Sequence, residues 1–443
     1  MNRLAVFNLF ALITLQVSLV AFSPNKKQPA VTSGVPTTRY VNLTHLNRLY
    51  QTVKLAANET EVGTVAIYSE APDYHLVTDA DEGFTCVDDV ARAALLLLRE
   101  PDLTTSPDKQ SKLRSMTEFV LQMQSKSRDV SAGYFYNFLW PDRTINKTFR
   151  TSVAQPNFWS WRALWLLTEA YPYYQKAKPA LAGRIQTATQ KLTANMLRDF
   201  GASHQEYNFV EGVQVPKWLP FGSGTDQAAV MLICLNNIYR QTPSAGLLKL
   251  MERLGEGIVS MQYGDAGIYP YGAILSFENT WHAYASDQSY ALLHVGKALN
   301  KPNWITVARR EIDNFYPYLI KQGYRESFTI RQSVNEISPL KTSQFSQIAY
   351  GIRPMIWAAL EAYEQTKETK YADLAGQLSS WFLGKNAAGA LMYDQASGRG
   401  YDGIGANGLV NRNAGAESTI ESLWAFQRLE QYPEAIKALE KYK

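Results

Sequence analysis

From about residue 42 onward, apolar residues recur at three- and four-residue spacing, the mark of helices that bury a face. The pattern predicts helices near 42–57, 86–100, 107–126, 157–175, 178–199, 224–240, 245–262, 281–299, 301–320, 343–365, 369–383, 413–430 and 433–442. The runs VARAALLLL, FWSWRALWLLTEAY, DQAAVMLICLNNIY and RPMIWAALEAY carry it most clearly. Strand-like alternation is scarce, and only the stretches around Tyr134 and Tyr269 read as small hairpins. Every second helix starts straight after a loop rich in glycine and aromatics, near Asp88, Phe158, Asp226, Asp287, Ile348 and Glu417. These starts recur every 60–70 residues or so, which suits one helical hairpin with its loops. The helices between them are plain. This alternation predicts an all-α fold, an (α/α)6 toroid of helical hairpins with long Gly/aromatic loops at one end. Inner helices would aim their N-terminal ends at a common cavity, and outer helices would only pack. An open superhelix gives less reason for decorated loops to fall on every second helix.

The first residues do not fit this scheme. Asn2 and Arg3 precede a stretch from Leu4 to Phe22 that is apolar except for Asn8, Thr14, Gln16 and Ser18. A polar, Pro-containing segment follows from Ser23. That is the order of a secretory signal. Residues 1–23 therefore read as a signal peptide, 24–40 as a linker and 41–443 as the toroid domain, with the product exported to the periplasm or beyond the cell. No other run approaches the roughly 18 apolar residues of a membrane span, so no stable span is expected once the signal is removed.

Composition narrows the chemistry. A net charge of +4 with scattered Lys and Arg lacks the concentrated basic face that nucleic acid requires. Cys86 and Cys234 sit at the edges of apolar helices, where cysteine behaves as a small hydrophobe, and their spacing supports no disulfide. The five histidines show no metal-ligand spacing, and no metal or cofactor is expected. Neither a G-x-S-x-G elbow nor a phosphate-binding G-x-x-x-x-G-K occurs. Gly403, Gly405 and Gly408 match G-x-G-x-x-G, but no strand precedes them, so they serve tight turns near a ligand instead of a dinucleotide.

The decorated loops hold the candidate site. In CVDDVARAA, Asp88 and Asp89 open a helix where carboxylates suit the positive end of the dipole. Neighbouring helical positions point about 100° apart, so one of the pair faces a cavity while the other reaches Arg92. The stretch from Gly133 to Trp165 concentrates aromatics among Asn137, Asp142, Arg143 and Gln155. Tyr136, Trp140 and Trp159 lie in or beside its loop, whereas Trp161 and Trp165 fall at core spacing. Aromatic faces stack on sugar C–H faces, and placed polar groups answer the hydroxyls. Later loops supply Trp218 and Asp226, then Tyr271, Trp281 and Asp287, then Tyr350 and Arg353. Thr225 and Ser286 are N-cap candidates beside two of these acids. The last loop carries Tyr401, Asp402, Asn411, Arg412 and Asn413 and ends at Glu417. The expected partner is a carbohydrate.

CVDDVARAA, SGRGYDGI and VNRNAGAEST together resemble a bacterial group of helical toroid proteins within the six-hairpin glycosidase superfamily, and the likeness spans nearly the whole domain after the linker. The resemblance implies a carbohydrate-active enzyme, and the superfamily holds hydrolases, polysaccharide lyases and epimerases. The leading expectation is a glycoside hydrolase, of the inverting type that resemblance favours. One carboxylic acid would protonate the leaving oxygen while a second carboxylate activates water or attacks the sugar directly. Asp88, Asp89 and Glu417 are the catalytic candidates, because closure of a ring makes its first and last hairpins neighbours. Asp226, Asp287, Glu278 and Asp402 are reserves. The alternatives are a lyase acting on a uronate, drawing on Tyr269, His282, Tyr350, Arg353, Asn411 and Arg412, and a glycan-binding protein without turnover.

Overall fold

The computed structural model describes residues 39–201 and 206–443. The stretch expected to be a signal peptide and most of the expected linker lie outside the described residues. One compact unit runs from Arg39 to Lys443. After a short helix α1 (Thr44–Leu49) come α2 (Val87–Leu98), α3 (Pro107–Gln122), α4 (Phe158–Ala177) and α5 (Pro179–Phe200). Next are α6 (Thr225–Gln241), α7 (Ala245–Ser260), α8 (Gln288–Ala298), α9 (Pro302–Arg310) and α10 (Tyr316–Lys321). The chain closes with α11 (Ala349–Thr366), α12 (Thr369–Ser379), α13 (Ala416–Leu429) and α14 (Pro433–Tyr442).

Six of these helices form a closed inner ring. Helix α2 packs on α4, α4 on α6, α6 on α8, α8 on α11, α11 on α13, and α13 returns to α2. The plain helices α3, α5, α7, α9 and α12 each pack outside the inner helix that precedes them, and α14 seats on α12. Sequence explains the two layers. In α11 every residue from Ala349 to Tyr363 is buried, as an all-round apolar helix in an interior should be. Helices α3, α5, α9 and α14 carry Pro at the start, where the missing N–H costs nothing. The Sγ of Cys86 caps α2 by accepting the Asp89 N–H at 3.4 Å, and Cys86 and Cys234 are both buried free thiols.

Several local expectations are corrected. The helix expected over 42–57 stops at Leu49, and Tyr50–Lys54 pairs antiparallel with Glu61–Val65. Thr52 and Val53, stiff at χ1, fit a pleated surface packed beside α3. Small hairpins are also commoner than the sequence pattern indicates: Tyr207–Val210 with Val213–Pro216, and Ser327–Gln332 with Ile337–Ser343. Their strands are too short and too exposed to show a clear period. Near Tyr134 the local pairing is short, antiparallel bridges of Gln124 with Phe135 and of Leu139 with Ile145, and Phe138–Leu139 also pairs with the distant Thr85–Cys86. The hairpin near Tyr269 is present, formed by Gln262–Asp265 and Ile268–Ile274.

The expected caps also change. Neither Thr225 nor Ser286 caps a helix: Thr225 Oγ1 donates to the Leu275 carbonyl at 2.6 Å and Ser286 Oγ to that of Ala283 at 2.7 Å. Their hydroxyls are drawn to loop carbonyls that would otherwise be buried without a partner. Each inner helix thus begins where a loop is pinned to it, and all six beginnings gather at one end of the ring.

Candidate active site

The centre of that end is a buried lattice of charge. Arg92, one turn into α2, lies among four carboxylates. Its Nη1 donates to Glu421 Oε1 at 2.8 Å, and its Nη2 to Asp89 Oδ1 at 2.8 Å and to Glu417 Oε2 at 3.2 Å. Its Nε stands 3.1 Å from Asp88 Oδ1. Arg353 of α11 takes the other oxygen of Glu421 at 2.6 Å and forks onto Asp287, with Nη2 to Oδ2 at 3.2 Å. Arg162 of α4 donates to the Tyr350 hydroxyl and lies 3.6 Å from Asp88. All three guanidiniums border the Tyr350 ring, 4.9 to 5.8 Å from its centroid. The Nη1 of Arg162 is buried with no hydrogen-bond partner.

Beneath the lattice the ring is filled. Trp165, Trp357 and Trp424, from α4, α11 and α13, pack with centroids 5.0 to 6.2 Å apart. Arg353 sits over Trp357 at 4.9 Å and over Trp424 at 5.4 Å. These indoles make a floor, so the site is a blind well.

Two acids in the well are tuned away from their ordinary state. The Glu417 side chain is 45% exposed, yet protein surrounds it on the concave side. That enclosure raises its pKa to about 7 against the opposing pull of Arg92, with Asp89 reinforcing the rise. Asp89 is buried, and desolvation raises it to about 6 although Arg92 works the other way. Glu421 shows the contrary balance: burial favours its neutral form, but Arg353, Arg92 and Arg162 outweigh it and lower its pKa. One carboxyl is therefore fixed as an anion, while Glu417 is poised to hold a proton near neutrality.

No family model matches this sequence, and no curated protein does either. Solved structures do match in three dimensions. A sugar epimerase from a ruminal bacterium superposes with a TM-score of 0.59 at 8% identity, over 83% of this chain and 92% of that one. Cellobiose 2-epimerase from Bacillus thermoamylovorans gives 0.56 at 12% identity, over 83% and 92%. A D-mannose isomerase gives 0.56 at 11%, over 83% and 92%. The likeness shows the fold, a ring of helical hairpins of the (α/α)6 kind.

Within this six-hairpin ring the sequence candidates separate into distinct places. Asp88, Asp89, Asp287, Arg353 and Glu417 meet in the lattice. Both aspartates of the opening pair reach Arg92, where one was expected to do so. Asp226 stands apart, on the first turn of α6, with Oδ2 at 3.3 Å from His282 Nε2. Tyr401 lies under the exposed Arg412, whose guanidinium is 5.3 Å from its centroid. Asp402 accepts from the Gly415 N–H and Ser418 Oγ at 3.1 and 2.9 Å, which orders the start of α13. Asn413 accepts the Ala71 N–H at 3.0 Å, tying the last loop to the first, and Asn411 accepts the Asn413 N–H at 3.1 Å.

The aromatic candidates are mostly engaged in packing. Trp159 is buried, its indole N–H donating to the Phe135 carbonyl at 2.7 Å. Trp218 is buried, donates to the Arg253 carbonyl at 2.9 Å and meets the Tyr207 ring. Trp281 packs with Phe315 and Phe328, and Tyr271 with Tyr318. Tyr136 lines an outer groove beside Gln122 and Lys147. Trp140, half-buried, sits at the turn closed by the Arg143 N–H.

Two lattice residues were missed by the sequence, Arg162 and Glu421, and so was the half-exposed Tyr284, which stacks on His282. The first two had a usable signal, a lone charge inside the apolar runs FWSWRALW and STIESLW. Such a charge is buried only when paired.

No group of His, Cys, Asp and Glu among the described residues is arranged to hold a metal ion. No described helix is long and apolar enough to cross a membrane.

Proposed function

We propose that this chain is an exported carbohydrate-active enzyme, and specifically a glycoside hydrolase in which Glu417 is the general acid. The observation that carries the reading is the state of Glu417. Its carboxyl opens into a blind well, is held near pH 7 by enclosure, and touches the one guanidinium that also holds Asp88 and Asp89. An acid with a pKa near the working pH is what protonation of a glycosidic oxygen requires. Asp88, one-fifth exposed and supported by Arg92 and Arg162, is the anion of the pair that can face a developing positive charge at the anomeric carbon. Asp89 is a positioning residue. It and Glu417 approach the same Arg92 nitrogen from 2.8 and 3.2 Å, which brings their facing oxygens too close for the gap of about 6.5–9.5 Å that an inverting pair leaves for water. Export rests on the apolar run from Leu4 to Phe22.

A second reading is a sugar epimerase or isomerase. The contact between Asp226 and His282 favours it, since proton transfer at carbon uses such pairs, and so do the names of the structures with TM-scores above 0.5. One experiment separates the readings. Wild type and Glu417→Gln are incubated with a panel of neutral and uronate-containing oligosaccharides. Reducing ends, near-ultraviolet absorbance and NMR of the sugar C1 and C2 positions are followed together. New reducing ends without absorbance, lost in the variant, support hydrolysis. A changed C1 or C2 signal without new ends replaces it with the epimerase, and absorbance replaces it with a lyase.

A further inference from the structure

Helices α6 and α13 stand on opposite sides of the inner ring, three places apart in the order α2, α4, α6, α8, α11, α13. Asp226 and Glu417 each occupy the second residue of their helix, at the loop end of opposed walls of the ring. Asp226 does not belong to the arginine lattice. Its Oδ1 accepts the Gln227 N–H at 2.7 Å, and its Oδ2 meets His282 Nε2 at 3.3 Å.

The environment of His282 fixes where its protons go. Nδ1 lies 2.9 Å from the Tyr284 carbonyl, which can only accept, so Nδ1 carries hydrogen. In the neutral ring Nε2 then presents a lone pair straight at a carboxylate oxygen. Two acceptors confronting each other in a nearly buried place repel, and one added proton turns the contact into a charge-assisted hydrogen bond. The pair is built to take up a proton as a unit. It is also held still. The Thr225 N–H donates to the Ser276 carbonyl at 2.9 Å, the His282 N–H to Ser276 Oγ at 3.2 Å, and the Glu278 N–H to Ser223 Oγ at 2.8 Å. Tyr284, 44% exposed, stacks on the imidazole at 3.8 Å and leans toward Tyr350 at 6.4 Å, linking the pair to the lattice. The titratable groups around His282 are thus Asp226 from α6, Tyr284 in its own loop, Glu326 just before the neighbouring strand and Tyr350 from α11.

The geometry points to Asp226 and His282 as the proton acceptor that works across the well from Glu417. This rests on the hydrolase reading above. Water on the α6 side gives its proton to the Asp226–His282 pair as its oxygen bonds to the anomeric carbon. The glycosidic C–O bond breaks, its electron pair stays on the leaving oxygen, and that oxygen takes the proton of Glu417. The arrangement leaves the width of the well for a sugar and a water between the two groups, and implies inversion.

The test begins without substrate. In protein labelled with 15N-histidine, the His282 signals are assigned by their loss in His282→Gln and followed from pH 5 to 9 in wild type and Asp226→Asn. The expected result is a ring with its hydrogen on Nδ1 and an unprotonated Nε2 at pH 7 to 8, its proton affinity changed at least tenfold by Asp226→Asn. A ring already protonated on both nitrogens at pH 8, or a titration unchanged in Asp226→Asn, overturns the proposal. Should Asp226→Asn not fold, the wild-type titration alone decides. The second arm uses whichever glycan the wild type hydrolyses. Asp226→Asn is expected to lower kcat at least a hundredfold with KM little changed and to remove the acid limb of the pH profile. Full activity in that variant overturns the proposal while leaving Glu417 and the hydrolase reading intact. If wild type turns over no glycan, the hydrolase reading fails and with it the catalytic role proposed for the pair, whatever the titration shows.

Discussion

Arg92 and Glu421 meet at 2.8 Å although 329 residues separate them along the chain. Their contact joins the first inner helix to the last and leaves both side chains almost without solvent. Glu421 passes the same charge on to Arg353 through its second oxygen. The lattice in the well is therefore also part of the clasp of the ring.

Removing one member of this clasp is expected to be costly. Glu421→Ala strands two buried guanidiniums and should lower stability by about 3–5 kcal/mol, the usual penalty for breaking a buried pair. Urea unfolding of the two proteins measures it. A loss below about 1 kcal/mol would show that the lattice relaxes or takes up water.

Glu417→Gln should behave in the opposite way. Its side chain opens into the well and carries only one of the contacts of Arg92, so folding should be retained. Activity should fall by about a hundredfold or more, the range for loss of a general acid. Thermal melting and single-turnover rates on the same preparation give both values. Equal losses in melting temperature and rate would point to a structural role instead.

The pH profile follows from the same residue. As the proposed general acid Glu417 acts with its proton on, and its pKa is raised to about 7. The rate should therefore decline as pH rises through about 7. A rate still rising at pH 8 would remove Glu417 from the role of acid.

Glu311 offers a test away from the well. It is buried between α9 and α10, accepts the Ile274 N–H at 2.8 Å and Ser289 Oγ at 2.6 Å, and burial pushes it up to about 7. The folded state thus holds this proton more tightly than the unfolded chain, whose glutamates titrate near about 4.3. Stability is expected to drop as pH climbs from about 4.5 to 7, by about 3 kcal/mol from this group alone. Glu311→Gln should flatten that slope, which melting temperatures taken at pH 5 and pH 8 would reveal.

Asn413→Ala removes the acceptor for the Ala71 N–H, one of the ties between first and last loops. A cost of about 1–2 kcal/mol is expected, with hydrogen exchange at Ala71 accelerated more than in the outer helices. Unchanged protection at Ala71 would show that the Ala414 N–H to Ser69 bond suffices.

The helical hairpins were legible in the sequence because period and burial are local properties. A helix such as Ala349–Thr366, apolar all round, has no place but an interior, and loops decorated at every second start leave a ring as the economical arrangement. Asp88, Asp89 and Glu417 could be picked out because acids at helix starts are visible in one dimension. What one dimension does not hold is which charges share a partner. Trp159, Trp218 and Trp281 read as loop aromatics, yet their indoles are buried against neighbouring elements, because a ring wall needs large side chains as much as a ligand does. Arg162 and Glu421 read as interruptions of apolar helices, and became members of the site only when six helices brought them to one axis. The pairing of Asp226 with His282 depends on a loop pinned by Ser276 and Ser223, contacts no periodicity encodes. Sequence determined the ring of hairpins and the acids at its rim, through local burial and helix electrostatics. Tertiary structure decided which acids are neutral, which are paired and which face each other, because those depend on distances between residues brought together only when the ring closes.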